Sequence, residues 1–333
     1  MNLREIAKAL GLSPATVSVC LFGDPKKVKL SPRTVERVRK FADEAGYVPN
    51  RYARKIFYPE KDRTIGIVFK FDSAIARNTP VLLNAMRRLD KAGIEYVIQS
   101  CDQKNIVPTI RQVLGMNIRR ILIIGFLREK DLEGLEKYQQ AELYPLDLVF
   151  GEGPENAALP IRCRMGANHD EFFIGLGRRL LDAGLGPLAV DFNIPILFSE
   201  HLASEKNVLQ HSMKGDYFES GCEIADQVVR LHRRKQCRTV LLRNDNLAVG
   251  LIDALLKRGI RVPDDIGVIG FNDSAFSPFA AVPLTTVQVP IQDNLDAALD
   301  HLIDGRPLPD HFQTCLRLIE RQSCVLTPRS ARG

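Results

Sequence analysis

No apolar run in the sequence approaches the roughly 20 residues that a membrane-spanning helix needs. The first segment, "MNLREIAKAL", is charged and amphipathic, unlike a secretion signal. A cytoplasmic protein with no membrane partner is therefore expected. The seven cysteines, Cys20, Cys101, Cys163, Cys222, Cys237, Cys315 and Cys324, are dispersed and form no C-x-x-C pair. None of the six histidines falls in a spaced cluster with them. That pattern argues against a disulfide framework and against a zinc site, leaving buried, reduced thiols and no metal. Nucleotide and nucleophile motifs are also missing: there is no P-loop, no G-x-S-x-G, and no G-x-G-x-x-G after the first strand. "GLGRR" lies within a helical pattern, where its glycines serve packing. Neither an enzyme nor a cofactor is expected, and there is no low-complexity tract or short repeat.

The 333 residues are 45% hydrophobic and 26% charged, suited to two or three globular domains. The net charge of +6 is unevenly placed. Residues 1–63 hold 14 Lys and Arg against 7 Asp and Glu, whereas the other 270 residues hold 32 against 33. Basic charge gathered at one end marks an anionic partner, most simply nucleic acid.

Residues 1–46 carry three helical patterns. Leu3, Ile6, Ala7 and Leu10 share one face, and Gly11 stops that helix. Ser13 is an N-cap with Pro14 at the first helical position, and Val17 and Leu21 continue an apolar face. "SPRTVERVRKFADEAG" repeats this grammar, with Ser31 as cap, Pro32 first, Val35, Val38 and Phe41 apolar, and Gly46 as stop. About three residues join the first two helices, as in a helix-turn-helix. "YVPNRYARKIFYPEKDR" then links this head to the rest, and Pro49 and Pro59 bracket room for one short helix.

From Thr64 short apolar strands such as "TIGIVFKF", "RRILIIGF", "TVLLRND" and "IGVIGFND" alternate with amphipathic helical runs. Alternation of this kind implies parallel sheets with helices on both faces, and the length suffices for two such lobes. "LTTVQVP" and "QTCLRLIERQSCVL" read as strands around the helix "QDNLDAALDHLIDG".

The head "LREIAKALGLSPATVS", the linker "GYVPNRYAR", the strand "TIGIV" and "NDNLAVGLIDALLKRGIRVPDDIGVIGFND" together resemble the lac repressor family (LacI/GalR type), in the family's order and over nearly the whole chain. The resemblance implies an N-terminal all-α helix-turn-helix head at 1–46 and a hinge helix or linker at 47–62. It implies an α/β two-lobed, periplasmic-binding-protein-like core for effector binding and dimerisation at 63–333. It further implies a transcriptional repressor that binds a pseudo-palindromic double-stranded DNA operator as a homodimer and answers to a small-molecule effector, a sugar or related compound, in the cleft between the lobes.

For a helix-turn-helix, the second helix meets the major groove by its N-terminal end. Ser13, Pro14, Ala15, Thr16, Ser18 and Val19 are thus the expected contacts. The family often carries large polar residues where this chain has Pro14 and Ala15, or arginine where it has Val19. Bidentate base contacts are missing here, which shifts the expected readout toward thymine methyls and DNA shape. Lys26, Lys27, Lys29, Arg33 and Arg51 offer phosphate contacts, and Ser31 stands at the start of the next helix. Tyr47, Asn50, Ala53 and Arg54 match the family's hinge motif, and Ile56 stands where the family inserts a leucine wedge into the minor groove.

For the effector, the resemblance points to Phe71 and Asp72 after the first strand, Asn244 in "LLRNDN" and Asn272 in "IGFND". Asp245 and Asp273 have two readings, as ligand groups or as structural caps. The family's effector-gripping arginine has no counterpart in residues 186–221, which contain no arginine. A second reading therefore stands beside the first: a regulator whose cleft answers to no small molecule.

Overall fold

The structure is a computed structural model that describes residues 2–23, 25–26, 28–47, 63–71, 75–149, 155–167, 169–191, 203–210 and 217–326. The chain divides into two compact units, Met1–Arg63 and Thr64–Gly333.

The first unit holds α1 (Leu3–Leu10), α2 (Pro14–Phe22) and α3 (Pro32–Glu44). Asn2 and Glu5 form a reciprocal capping box at the start of α1. Gly11 ends α1 with φ of 63°, a conformation open to glycine without strain. The chain then turns through 109° into α2, the crossing expected of a helix-turn-helix. Ile6, Ala7, Val17, Cys20, Val38 and Ala42 form its small buried core.

The second unit contains two six-stranded sheets. Its elements are β1 (Ile65–Lys70), α4 (Ile75–Lys91), β2 (Tyr96–Cys101), α5 (Ile106–Gly115), β3 (Arg120–Leu127), β4 (Glu142–Val149), β5 (Arg164–Ala167), α6 (His169–Asp182), β6 (Leu188–Val190) and β7 (Ala203–Val208). They continue with α7 (Tyr217–Glu223), α8 (Ala225–Arg233), β8 (Thr239–Leu241), α9 (Asp245–Lys257), β9 (Gly267–Phe271), β10 (Thr285–Gln288), α10 (Ile291–Asp304), β11 (His311–Thr314) and β12 (Arg317–Ile319). The first sheet runs β11-β5-β4-β3-β1-β2 and the second β12-β10-β9-β8-β6-β7. All pairings are parallel except β10 with β12.

Burial on both faces explains why these strands read as continuous apolar runs. In β1, Ile65, Ile67 and Phe69 pack with α4 and α10, while Val68 turns to the opposite face with α5. In the second sheet, Val240 and Leu242 join α8 and α9, and Leu241 joins α6 on the other side. Two strands carry little apolar signal, the four-residue β5 and the polar edge strand β7, and neither stood out in the sequence.

The motif "NDNLAVG" owes much of its form to packing. A Cβ on Gly250 would lie 2.0 Å from the Phe218 carbonyl oxygen, and one on Gly221 would lie 2.1 Å from that of Leu247. The paired glycines let α7 and α9 touch backbone to backbone. Gly250→Ala is predicted to destabilise the protein by about 2–4 kcal/mol in urea unfolding, because two backbones must separate. Gly175→Ala, on the exposed side of α6 with nothing within 4 Å, should be neutral or gain up to about 1 kcal/mol.

Candidate nucleic-acid interface and interlobe cleft

Helix α2 is set by its own N-terminus. Ser13 is extended, at φ −74° and ψ 148°, and its Oγ accepts the Thr16 N–H at 3.0 Å. The Ser13 and Thr16 hydroxyls are also hydrogen-bonded to each other at 2.8 Å. Ser31 and Thr34 repeat both contacts at 3.1 and 2.8 Å in front of α3. Two arginines of α3 then fix the other helices. Arg37 donates to the Leu10 carbonyl at 2.9 Å, and Arg39 Nε donates to that of Cys20 at 3.2 Å. Neither stands out in the sequence, where Arg33 alone of the basic residues of α3 has an expected contact.

Ser13, Pro14 and Ala15 are exposed, Thr16, Ser18 and Val19 are half-buried, and Val17 and Cys20 are buried. The first six form the outward side of α2. Ala15, Val19 and Phe22 are spaced i, i+4 and i+7, one stripe of a helix. Val17, Cys20 and Leu21 point the other way, into the core of the head. Lys29, with φ of 52°, is exposed ahead of the exposed Ser31, and Lys26 and Arg33 are exposed as well. Tyr47 packs against the head's core, and its N–H donates to the Ala42 carbonyl. Asn50, Ala53, Arg54 and Ile56, and with them Lys27 and Arg51, lie outside the described residues.

In the larger unit, polar groups collect at the C-terminal ends of the parallel strands. Lys70 at the end of β1 is 1% exposed, and its ammonium donates to the Phe126 carbonyl. Phe71 follows, exposed, and meets Phe69 edge-on at 5.3 Å. Asp72 lies outside the described residues. Arg77, in the first turns of α4, forms a buried ion pair with Asp147 of β4 at 2.6 Å. The adjacent Asn78 is fully buried. Its carbonyl oxygen accepts from Arg77 Nε at 3.0 Å, and its amide nitrogen finds no partner among the described residues.

The second sheet does supply an arginine, from a different strand. Arg243, just past β8, donates through its backbone N–H to Asp191 Oδ1 and through Nε to Oδ2, both at 2.7 Å. Its guanidinium also donates to the Asp191 carbonyl. The Asp191 carboxylate is wholly buried, whereas Arg243 keeps a third of its side chain exposed. Arg243 is thus tied to Asp191, and the stretch after β6, where the resemblance places an effector-gripping arginine, contains none.

Asn244 caps α9, its side-chain oxygen accepting the Asn246 N–H at 2.7 Å. Asp245 is fully buried and accepts from the Ser274 N–H at 2.6 Å, the Ser277 hydroxyl at 3.0 Å and the Thr286 hydroxyl at 2.6 Å. Burial pushes its carboxyl upward from the usual range, against the pull of those hydrogen bonds. Asp273 accepts from Arg321 at 2.8 Å and from Gln288 at 3.0 Å. Both aspartates are therefore structural ties between elements. Asn272 differs. It is 6% exposed, holds φ at 105°, and its backbone N–H donates to the Val287 carbonyl at 2.8 Å. A polar side chain on a backbone conformation that costs energy, at the end of a parallel strand, is the kind of feature that marks a binding site.

An aromatic group joins the strand ends of the two lobes. The His169 ring lies 6.1 Å from Phe126 of the first sheet, 6.1 Å from Phe271 of the second, and 6.2 Å from Phe173. Among the described residues no cluster of three or more His, Cys, Asp or Glu side chains is placed to hold a metal, and no single helix is long and apolar enough to cross a membrane.

Residues 2–50 match the family of bacterial regulatory proteins called the lacI family, and residues 198–324 match the periplasmic binding protein-like domain. The HTH-type transcriptional regulator AscG of Escherichia coli is 26% identical over 98% of this chain and 99% of its own. The lac repressor dimer bound to operator and the anti-inducer ONPF has a TM-score of 0.68 at 20% identity, covering 97% of this chain and 98% of that one. The transcriptional regulator CelR in complex with cellobiose has a TM-score of 0.56 at 20% identity, over 97% and 99%. The head is thus that of the lacI family of bacterial regulatory proteins, and over nearly its whole length the chain is similar to DNA-binding transcriptional regulators.

The two asparagines of the second lobe should respond in opposite directions to substitution. Asn244→Ala removes a helix cap and is predicted to lower stability by about 1 kcal/mol. Asn272→Gly relieves the left-handed backbone and should raise stability by up to about 1 kcal/mol. Urea unfolding of the two variants checks both signs.

Proposed function

We propose that this regulator binds a pseudo-palindromic operator as a homodimer in the cytoplasm and represses transcription there. One α2 enters the major groove of each half-site, and a small molecule in the interlobe cleft changes the affinity. The observation that carries this reading is the exposed, capped N-terminal end of α2, flanked by exposed Lys26, Lys29 and Arg33. Ser13, Pro14, Ala15, Thr16, Ser18 and Val19 face the groove, Lys29 and Ser31 meet phosphate, and Tyr47, Asn50, Ala53, Arg54 and Ile56 form the hinge that follows. Two-fold symmetry of the protein requires two-fold related half-sites. Exposed apolar side chains support self-association: Leu83 on α4 and Ile98 on the edge strand β2 in one lobe, and Phe218, Leu256 and Phe279 in the other.

For the effector, Phe71, Asp72, Asn244 and Asn272 remain the proposed contacts, of which Asn272 has the strongest support. A sugar or related polyol suits an amide that both donates and accepts, and the cellobiose complex of CelR supports that class. The ligand acts only through different affinities for two lobe arrangements. The second reading, a cleft without an effector, is favoured by the internal bonding of Asn244, Asp245, Asp273 and Arg243. A thermal-shift panel of sugars separates the two: stabilisation abolished in Asn272→Ala supports an effector, and no shift across the panel supports the second reading.

Hydroxyl-radical footprinting on selected DNA should give two protected half-sites about one helical turn apart. Lys29→Ala should weaken binding to all sequences alike and lower the slope of log K against log salt by about 1 for each head. A single protected site bound by a monomer, or a slope unchanged by Lys29→Ala, would contradict the assignment.

A further inference from the structure

We propose that the head reads its operator through the 5-methyl groups of thymine, with Ala15 and Val19 as the reading stripe. This rests on the assignment of α2 to the major groove and adds the chemistry of what it recognises there. The helix "PATVSVCLF" contains no charged residue and no amide. A helix on the surface of a small unit needs one apolar face, directed at the core. Here Val17, Cys20 and Leu21 supply that face, and Ala15 and Val19 are not part of the core of the head. The second apolar stripe lies opposite the first, and it gains by being covered.

The polar groups beside the stripe are few. Ser13 and Thr16 hydrogen-bond each other and the first turn of the helix. No side chain on α2 forms a two-pronged contact with guanine or adenine, which takes Arg, Lys, Asn or Gln. Of the marks that base pairs display in the major groove, the thymine methyl alone is apolar. The exposed cations around the helix, Lys26, Lys29 and Arg33, favour a polyphosphate duplex as the cover over an apolar protein surface.

The test begins with an operator selected from random duplexes by the full chain. Each thymine of the half-site is replaced in turn by deoxyuridine, symmetrically in both halves, and affinities of wild type and Val19→Ser are measured. Val19 lies outside the buried core, so Val19→Ser is expected to fold, which circular dichroism checks. At the thymine facing Val19, deoxyuridine should weaken wild-type binding about fourfold for each methyl removed, following the transfer free energy of one methyl group. Val19→Ser should lose that sensitivity while remaining sensitive elsewhere, which isolates the pair as in a double-mutant cycle. Cytosine placed at that thymine should bind more tightly once methylated at C5.

Two contrary results are distinguishable. If no thymine responds to deoxyuridine but Val19→Arg changes the selected sequence, α2 does read the groove and the methyl inference is wrong. If Val19→Arg alters neither affinity nor selected sequence, the placement of α2 itself is wrong, and the stripe covers something other than DNA.

Discussion

A parallel strand must be followed by a crossover before its neighbour can form, and that constraint shapes the larger unit. Helices fill many of the crossovers and cover both faces of each sheet, so the central strands are apolar and their polar residues are displaced to the ends. The chain passes from the first sheet to the second through α6, returns through α10 to β11, and crosses again to β12. His169, the first residue of α6, sits at one of these crossings between Phe126 and Phe271. Lys70, the Arg77–Asp147 pair, the Asp191–Arg243 pair and Asn272 all gather at strand ends for the same topological reason.

Most of those polar groups hold the fold. Asp245 ties the start of α9 to the loop after β9 and to β10 through three hydrogen bonds, and removing it would leave Ser277 and Thr286 buried without an acceptor. Asp191 holds Arg243 against its own strand end at three points. Against this background Asn272 stands apart, because it is carried on a strained backbone at a strand end.

The head was the most legible part of the sequence. Its second and third helices begin with the same Ser-Pro-x-Thr grammar, whose cap chemistry is local and depends on nothing distant. The two-lobed α/β core was legible from its alternating strands and helices. The strands β5 and β7 were harder to see, since a four-residue strand and a polar edge strand have no periodic apolar signal. At the cleft the residue types were visible but their partners were not. Asp191 and Arg243 are 52 residues apart, and only the adjacency of β6 and β8 brings them together. The roles of Asn244 and Asp245 likewise depended on which backbone groups stood in front of them. Arg37 and Arg39 show the same limit in the head, where charge suggested DNA and geometry assigns them to carbonyls.

A recognition helix that is apolar on two opposite sides must pack against the head with one and meet its target with the other. The most direct measurement is an intermolecular nuclear Overhauser experiment on the full-length, methyl-labelled protein bound to its selected operator. The account predicts cross-peaks between the Val19 methyls and a thymine 5-methyl, with the Val17 methyls showing contacts only to the head's core. Val19 methyls that show no contact to any base, and no shift on operator binding, would contradict it.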